Sequence, residues 1–139
     1  MRDRQEHWYV DLLLIAESHA DNAYAGTTGA EVVPFENNSI EGSNSVLERD
    51  WNRYMEDVAR ANILICNIDA VTDNSLTTAE RAQYKAEAKI FRAMIMFDMV
   101  RLWGDFPVIT TVAEDITSDN IEDVYPQYFS QRHTELEAY

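Results

Sequence analysis

An all-α fold built on an antiparallel helical hairpin is predicted by three features of the sequence. Apolar residues repeat at alternating spacings of four and three from Leu47 through Trp51, Tyr54, Val58, Ala61 and Ile65 to Ile68, the period of one helix face. Thr77 and Glu80 form a capping box ahead of a second long apolar-rich run, which Gly104 and Pro107 close. Glycine and proline number only 4 and 3 in 139 residues, too few for a chain of short strands and tight turns.

The elements follow in order. A first helix is expected over residues 3–24, where Trp8, Leu12, Ile15 and His19 share a face that Leu13, Ala16 and Ala20 widen; Gly26 and Gly29 end it. Residues 25–44 read as a long surface loop, because Gly26, Gly29, Pro34, Asn37, Asn38, Gly42 and Asn44 are turn formers. Val32, Val33 and Phe35 are apolar residues inside it. A loop of this length in a compact domain is uncommon and often functional. A second helix is expected over 46–71, with Ser45 and Glu48 as its capping box, and a third over 78–103. The second and third pack as the hairpin.

The third helix changes character along its length. Residues 80–89 keep a polar face, whereas from 90 to 103 only Arg92, Asp98 and Arg101 interrupt apolar side chains. A helix apolar nearly all round is buried on most sides. Two neighbouring helices are too few to bury it, so the sequence reads as a fragment of a larger helical stack that alone exposes an apolar face and self-associates. Residues 105–133 read as irregular, with a short strand at 106–112. Thr134 and Glu137 read as a further capping box opening a helix at 134–139.

Charge narrows the function. With 25 acidic against 11 basic residues the formal net charge is −14, which repels nucleic-acid backbones and anionic membrane surfaces but does not penalise a neutral ligand. A single cysteine, Cys66, excludes an internal disulfide framework and a cysteine-rich metal site. The N-terminal residues are charged and lack the apolar core of a signal peptide, and no run reaches the length of a membrane span.

No reaction centre stands out. His7, His19 and His133 lack metal-site spacing. Asp115, Thr117, Asp119 and Asp123 supply oxygen ligands without the glycine and terminal glutamate of a calcium loop. Neither a metal nor a cofactor is therefore expected, and the chain is not read as an enzyme. Arg92, Asp98 and Arg101 are read as structural: Asp98 and Arg101 stand one turn apart and can pair, and a charge in apolar surroundings needs hydrogen-bonding partners on neighbouring elements. Trp51, Tyr54, Tyr84, Phe91, Phe97 and Trp103 lie on helical stripes and are read as core. Tyr24 and Phe35 differ, since they sit in or beside the long loop among Asp21, Asn22, Asn37 and Asn38. Sugars present flat C–H faces that stack on aromatic rings, and hydroxyls that pair with Asn and Asp. Those six residues form the candidate ligand site.

Specific runs then carry a resemblance. They are Trp51-Asn-Arg-Tyr54, Ala61-Asn62-Ile-Leu-Ile65, Ala86-Glu87-Ala88-Lys-Ile-Phe91-Arg92-Ala93, and Phe97-Asp-Met-Val100-Arg-Leu-Trp103-Gly104-Asp105-Phe-Pro107. Together with Glu17-Ser-His-Ala-Asp21-Asn22-Ala upstream, they resemble the N-terminal helical part of the SusD/RagB family. The resemblance implies tetratricopeptide-like helical hairpins and a non-catalytic surface lipoprotein of the Bacteroidetes outer membrane. It implies oligosaccharide, or in some members peptide, as ligand, and a SusC-like TonB-dependent transporter as partner. Membrane attachment would run through a lipid anchor that this sequence does not carry, since Cys66 lies in mid-helix. The alternative is a helical-repeat scaffold that grips a peptide or protein on a concave helix face.

Overall fold

The computed structural model describes residues 10–26, 28–73, 76–112 and 119. Its elements are helical: α1 (Val33–Glu36), α2 (Ser45–Asn67) and α3 (Thr78–Trp103), with a π-helical turn at Leu14–Ser18 and a 3-10 turn at Ile68–Ala70. No strand occurs among the described residues. The expected helix at 134–139 lies outside them. The chain divides into two compact units, Met1–Arg53 and Tyr54–Tyr139, with the boundary inside α2.

In the second unit the hairpin forms as the apolar periods dictate. The Tyr54 ring meets Trp103 edge to face at 5.6 Å, Asn62 is bonded to Arg92, and Asp69 pairs with Lys85. Rising numbers along α2 and the 3-10 turn that follows it therefore meet falling numbers on α3, the antiparallel order. Tyr54, Val58, Ala61 and Ile68 are buried from one side and Ala88, Ile95, Met96 and Met99 from the other. The capping box that opens α3 is present in both directions: the Glu80 N–H donates to Thr77 Oγ1 at 3.2 Å, and the Thr77 N–H donates to Glu80 Oε2 at 2.8 Å. Hydrogen bonds from the Thr77 hydroxyl and N–H hold the Glu80 carboxyl below its usual range. Replacing Thr77 with alanine is expected to destabilise the unit by about 1 kcal/mol, read as a lower urea midpoint at unchanged slope. Gly104 ends the helix at φ 71, a left-handed conformation that a side chain disfavours, with its N–H on Val100 O at 3.0 Å.

The apolar half of α3 is not buried on most sides. Ile95 and Met99 are closed off from solvent, but Ile90, Met94 and Phe97 are 71%, 44% and 60% exposed. These three follow one another at four and three residues and share the face opposite the buried one. Tyr84, also expected in the core, is 43% exposed. Arg101 covers the Phe97 ring at 5.5 Å, which keeps a cation where a neighbouring helix was expected. The exposed apolar face anticipated for this chain in isolation is thus present on α3.

The strand expected at 106–112 is instead a segment without regular secondary structure, held by side chains. Asn62 Nδ2 donates to Ile109 O and to Thr111 O, each at 2.9 Å. Arg92 Nη1 donates to Thr110 O at 3.1 Å and to Asn62 Oδ1 at 2.7 Å. Asn62 is fully buried, and so are Phe106 and Val108 just ahead of the carbonyls it holds. The chain after the Pro107 turn is therefore clipped to the hairpin, and Arg92 finds the partners that its apolar surroundings demand. Asp98 and Arg101 pair as expected, at 3.5 Å.

In the first unit the opening helix stops at Ser18, six residues short of the expected end. The cause is Asp21, whose φ of 61 turns the chain back, so that the N–H groups of Asn22 and Ala23 both reach Glu17 O at 3.0 and 3.1 Å. The inward face differs too. Asp11 and Ser18 are buried, whereas Leu13 is 58% exposed and Ala16, His19 and Ala20 face solvent. A buried carboxylate displaces the apolar stripe because Arg49 on α2 reaches Asp11 Oδ2 at 2.7 Å. Burial nonetheless raises the Asp11 carboxyl above its ordinary range, with the neighbouring Asp50 adding to the shift and Arg49 opposing it. The folded site thus holds a proton more tightly than the unfolded chain. Its stabilising contribution is complete below the unfolded value and fades as pH rises through the folded one. Asp11→Asn is expected to gain stability relative to the parent as pH goes from 4 to 7, measured by urea melts at each pH.

The long loop is also more ordered than its composition suggests. Val33–Glu36 forms the short helix α1, Phe35 on it is fully buried, and α1 packs on the π-helical turn. This accounts for the apolar residues in the loop. The cap of α2 falls one residue earlier than expected: Asn44, not Ser45, accepts from the backbone through its Oδ1, from the Val46 N–H at 2.9 Å.

Candidate functional site

The six expected ligand residues all fall in the first unit, on or beside two local stops of the chain. Asp21 and Asn22 form the turn that closes the opening helix, and Tyr24 follows with 78% of its surface exposed. Asn37 caps α1 through its N–H on Val33 O at 3.1 Å, and Asn38 sits at φ 53, a left-handed position that asparagine tolerates. A hydrogen bond joins the two stops. The Ala25 N–H donates to Glu36 Oε2 at 3.2 Å, which brings the residue after Tyr24 to the end of α1. Asp21, Asn22, Tyr24, Asn37 and Asn38 are all exposed. Phe35 is the exception, because its ring is spent on the core and has no face to offer a ligand.

A cleft of about 410 Å³ opens in the same loop, between α1 and the start of α2. Its walls include Glu31, Pro34, Ser39, Glu41, Ser43 and Asn44. None of the six expected residues lines it. Three backbone and side-chain tethers shape it. The Ser39 N–H donates to Pro34 O at 2.9 Å, the Asn44 N–H to Glu41 O at 3.0 Å, and Asn44 Nδ2 to Glu31 O at 2.9 Å. Asn44 therefore serves α2 with its oxygen and the cleft wall with its nitrogen. The signal that could have located this cleft is the run Glu41-Gly42-Ser43-Asn44-Ser45, a turn cluster directly before a helix whose asparagine is a strong cap.

Among the described residues no group of three or more His, Cys, Asp or Glu is placed to hold a metal ion. His19 and Asp119 are exposed, and His7, His133, Asp115, Thr117 and Asp123 lie outside the described residues. Cys66 is exposed. No described helix is long and apolar enough to cross a membrane.

Comparison with known proteins supports the reading of the helical motifs. A SusD-like protein of Bacteroides ovatus is 28% identical over 95 residues, which cover 68% of this chain and 16% of that protein. The chain thus spans about one-sixth of the relative it matches. No solved structure gives a significant match. The SusD-like family model described as starch-binding and associating with the outer membrane matches residues 5–138, which takes in the hairpin, the Asn62–Arg92 clip and the loop with its cleft, and the chain belongs to that family.

Proposed function

We propose that this chain is part of a non-catalytic glycan-binding protein of the outer membrane, which captures oligosaccharide at the cell surface and passes it to a SusC-like TonB-dependent transporter. Family membership over residues 5–138 supports the glycan class and the membrane association. The observation that carries the reading to particular residues is Tyr24. It is an aromatic ring with 78% of its surface open, next to the polar turn Asp21-Asn22 and tethered through Ala25 to the end of α1, where Asn37 and Asn38 stand. An exposed aromatic flanked by amide and carboxylate groups supplies both a stacking face and hydroxyl partners. Burial of Phe35 beneath this surface would hold it in place rather than touch the sugar.

Isothermal titration of the full chain with maltoheptaose tests the reading. Tyr24→Ala is expected to weaken binding about tenfold or more, the usual cost of truncating an aromatic anchor. Maltoheptaose that stays chemically intact through the titration fits a binding protein; its cleavage would overturn the non-catalytic assignment. An unchanged affinity in the variant would remove Tyr24 from the site.

A further inference from the structure

We propose that the open face of α3 docks a second copy of this chain, the two helices lying antiparallel with their crossing centred on Met94. The inference concerns the second unit alone and does not depend on the glycan-binding reading. Glu87, Ile90, Met94, Phe97 and Arg101 succeed one another at three, four, three and four residues, which sets them on one stripe of the helix. All five are exposed. The stripe is therefore apolar in the middle, acidic at one end and basic at the other, over roughly 21 Å of helix.

This pattern is self-complementary. Turning a second α3 end for end about a two-fold axis at Met94 brings Met94 onto its own counterpart. Ile90 then meets Phe97 of the second copy, and Glu87 meets its Arg101, each contact occurring twice by symmetry. A parallel pairing would instead set Glu87 on Glu87 and Arg101 on Arg101, so charge selects the antiparallel order. Both charged groups have capacity to spare. The Glu87 carboxylate accepts from Gln83 Nε2 at 2.8 Å and has further lone pairs, while Arg101 meets Asp98 at 3.5 Å and lies over the Phe97 ring at 5.5 Å. The net charge of −14 opposes self-association in general, but α3 carries five basic residues against three acidic ones, so that repulsion does not arise from this helix. One helix face is small beside the roughly 800 Å² per partner of a standard interface, so the dimer is weak, with a Kd on the order of 100 µM.

Sedimentation equilibrium of the full chain from about 10 µM to 1 mM tests this, since that range brackets the expected Kd. The parent is expected to pass from monomer to dimer across it. Met94→Glu sets two like charges at the two-fold axis and should leave a monomer throughout. Glu87→Arg and Arg101→Glu, made singly, should each weaken the dimer about tenfold or more, and the double variant Glu87→Arg/Arg101→Glu should restore it. Circular dichroism that matches the parent shows that each variant folds. A parent that stays monomeric at 1 mM would overturn the proposal, and the face would then belong to some other partner. Association that survives Met94→Glu would overturn it too, by placing the contact elsewhere, and a charge swap that fails to restore the dimer would overturn the antiparallel pairing.

Discussion

Asn62→Ala is expected to be among the most damaging single substitutions in this chain, lowering stability by about 3 kcal/mol. The side chain closes three hydrogen bonds at once: two from its Nδ2 to the carbonyls of Ile109 and Thr111, and one to its Oδ1 from Arg92. Two neutral bonds at about 1 kcal/mol each and one charge-assisted bond at about 2 kcal/mol set the gross figure. Partial solvent access to the Arg92 guanidinium and the freed carbonyls reduces it. Asn62→Asp is the informative companion. It keeps an acceptor for Arg92 but faces two carbonyl oxygens with an anion in place of a donor, so it is expected to lose stability as well. Urea unfolding followed by circular dichroism reads both. A loss under about 1 kcal/mol for Asn62→Ala would show that water replaces the clip without cost.

Met99→Ala is expected to cost about 3 kcal/mol, within the range for emptying a buried methionine site. Met99 is fully buried on α3 between Met96 and the last turn of the helix. For a domain of this size that corresponds to roughly 10 °C in Tm. Phe97, two residues away, carries a larger apolar side chain but is 60% exposed, so Phe97→Ala is expected to cost under about 1 kcal/mol. Thermal melts of the two variants therefore separate the buried face of α3 from the open one. Equal losses would mean that Phe97 is covered in solution.

The parts of the fold that were legible in the sequence are those fixed by local rules. The bounds 78–103 for α3 match the structure because Thr77, Glu80, Gly104 and Pro107 mark its ends without help from tertiary contacts. The stripe from Leu47 to Ile68 located α2 for the same reason, although the long helix gives way to a 3-10 turn at Ile68–Ala70 before the expected end. Legibility failed where a polar group does the packing. Asp11, Asp50 and Asn62 are buried, and composition alone marks each as a surface residue. Buried polar groups are chosen by partners far along the chain, such as Arg49 for Asp11, and no periodicity encodes that choice. The all-round apolar half of α3 misled in the opposite direction, because hydrophobicity tells what a face wants and not what this chain supplies to cover it.

The loop shows the same division. Its turn formers mark it as irregular, yet Phe35 belongs to the core and not to the ligand surface that its neighbours in sequence suggest, since a short helix of four residues leaves too little pattern to reveal its inward side. The exposed members, Tyr24 above all, were accessible to sequence reasoning because an aromatic in a polar stretch stands out by contrast. The cleft depends on Asn44 reaching back to Glu31 across 13 residues, a contact that only folding specifies.

The clip at residues 109–111 has a further consequence for how this protein behaves at high concentration. Extended backbone with free carbonyls is a template on which another polypeptide can add as a strand, the first step towards aggregates. Here three successive carbonyls, those of Ile109, Thr110 and Thr111, are each occupied by a side chain from the hairpin. Those three carbonyls are therefore already engaged within the chain, and the segment that follows α3 offers fewer acceptors on which a foreign strand could add.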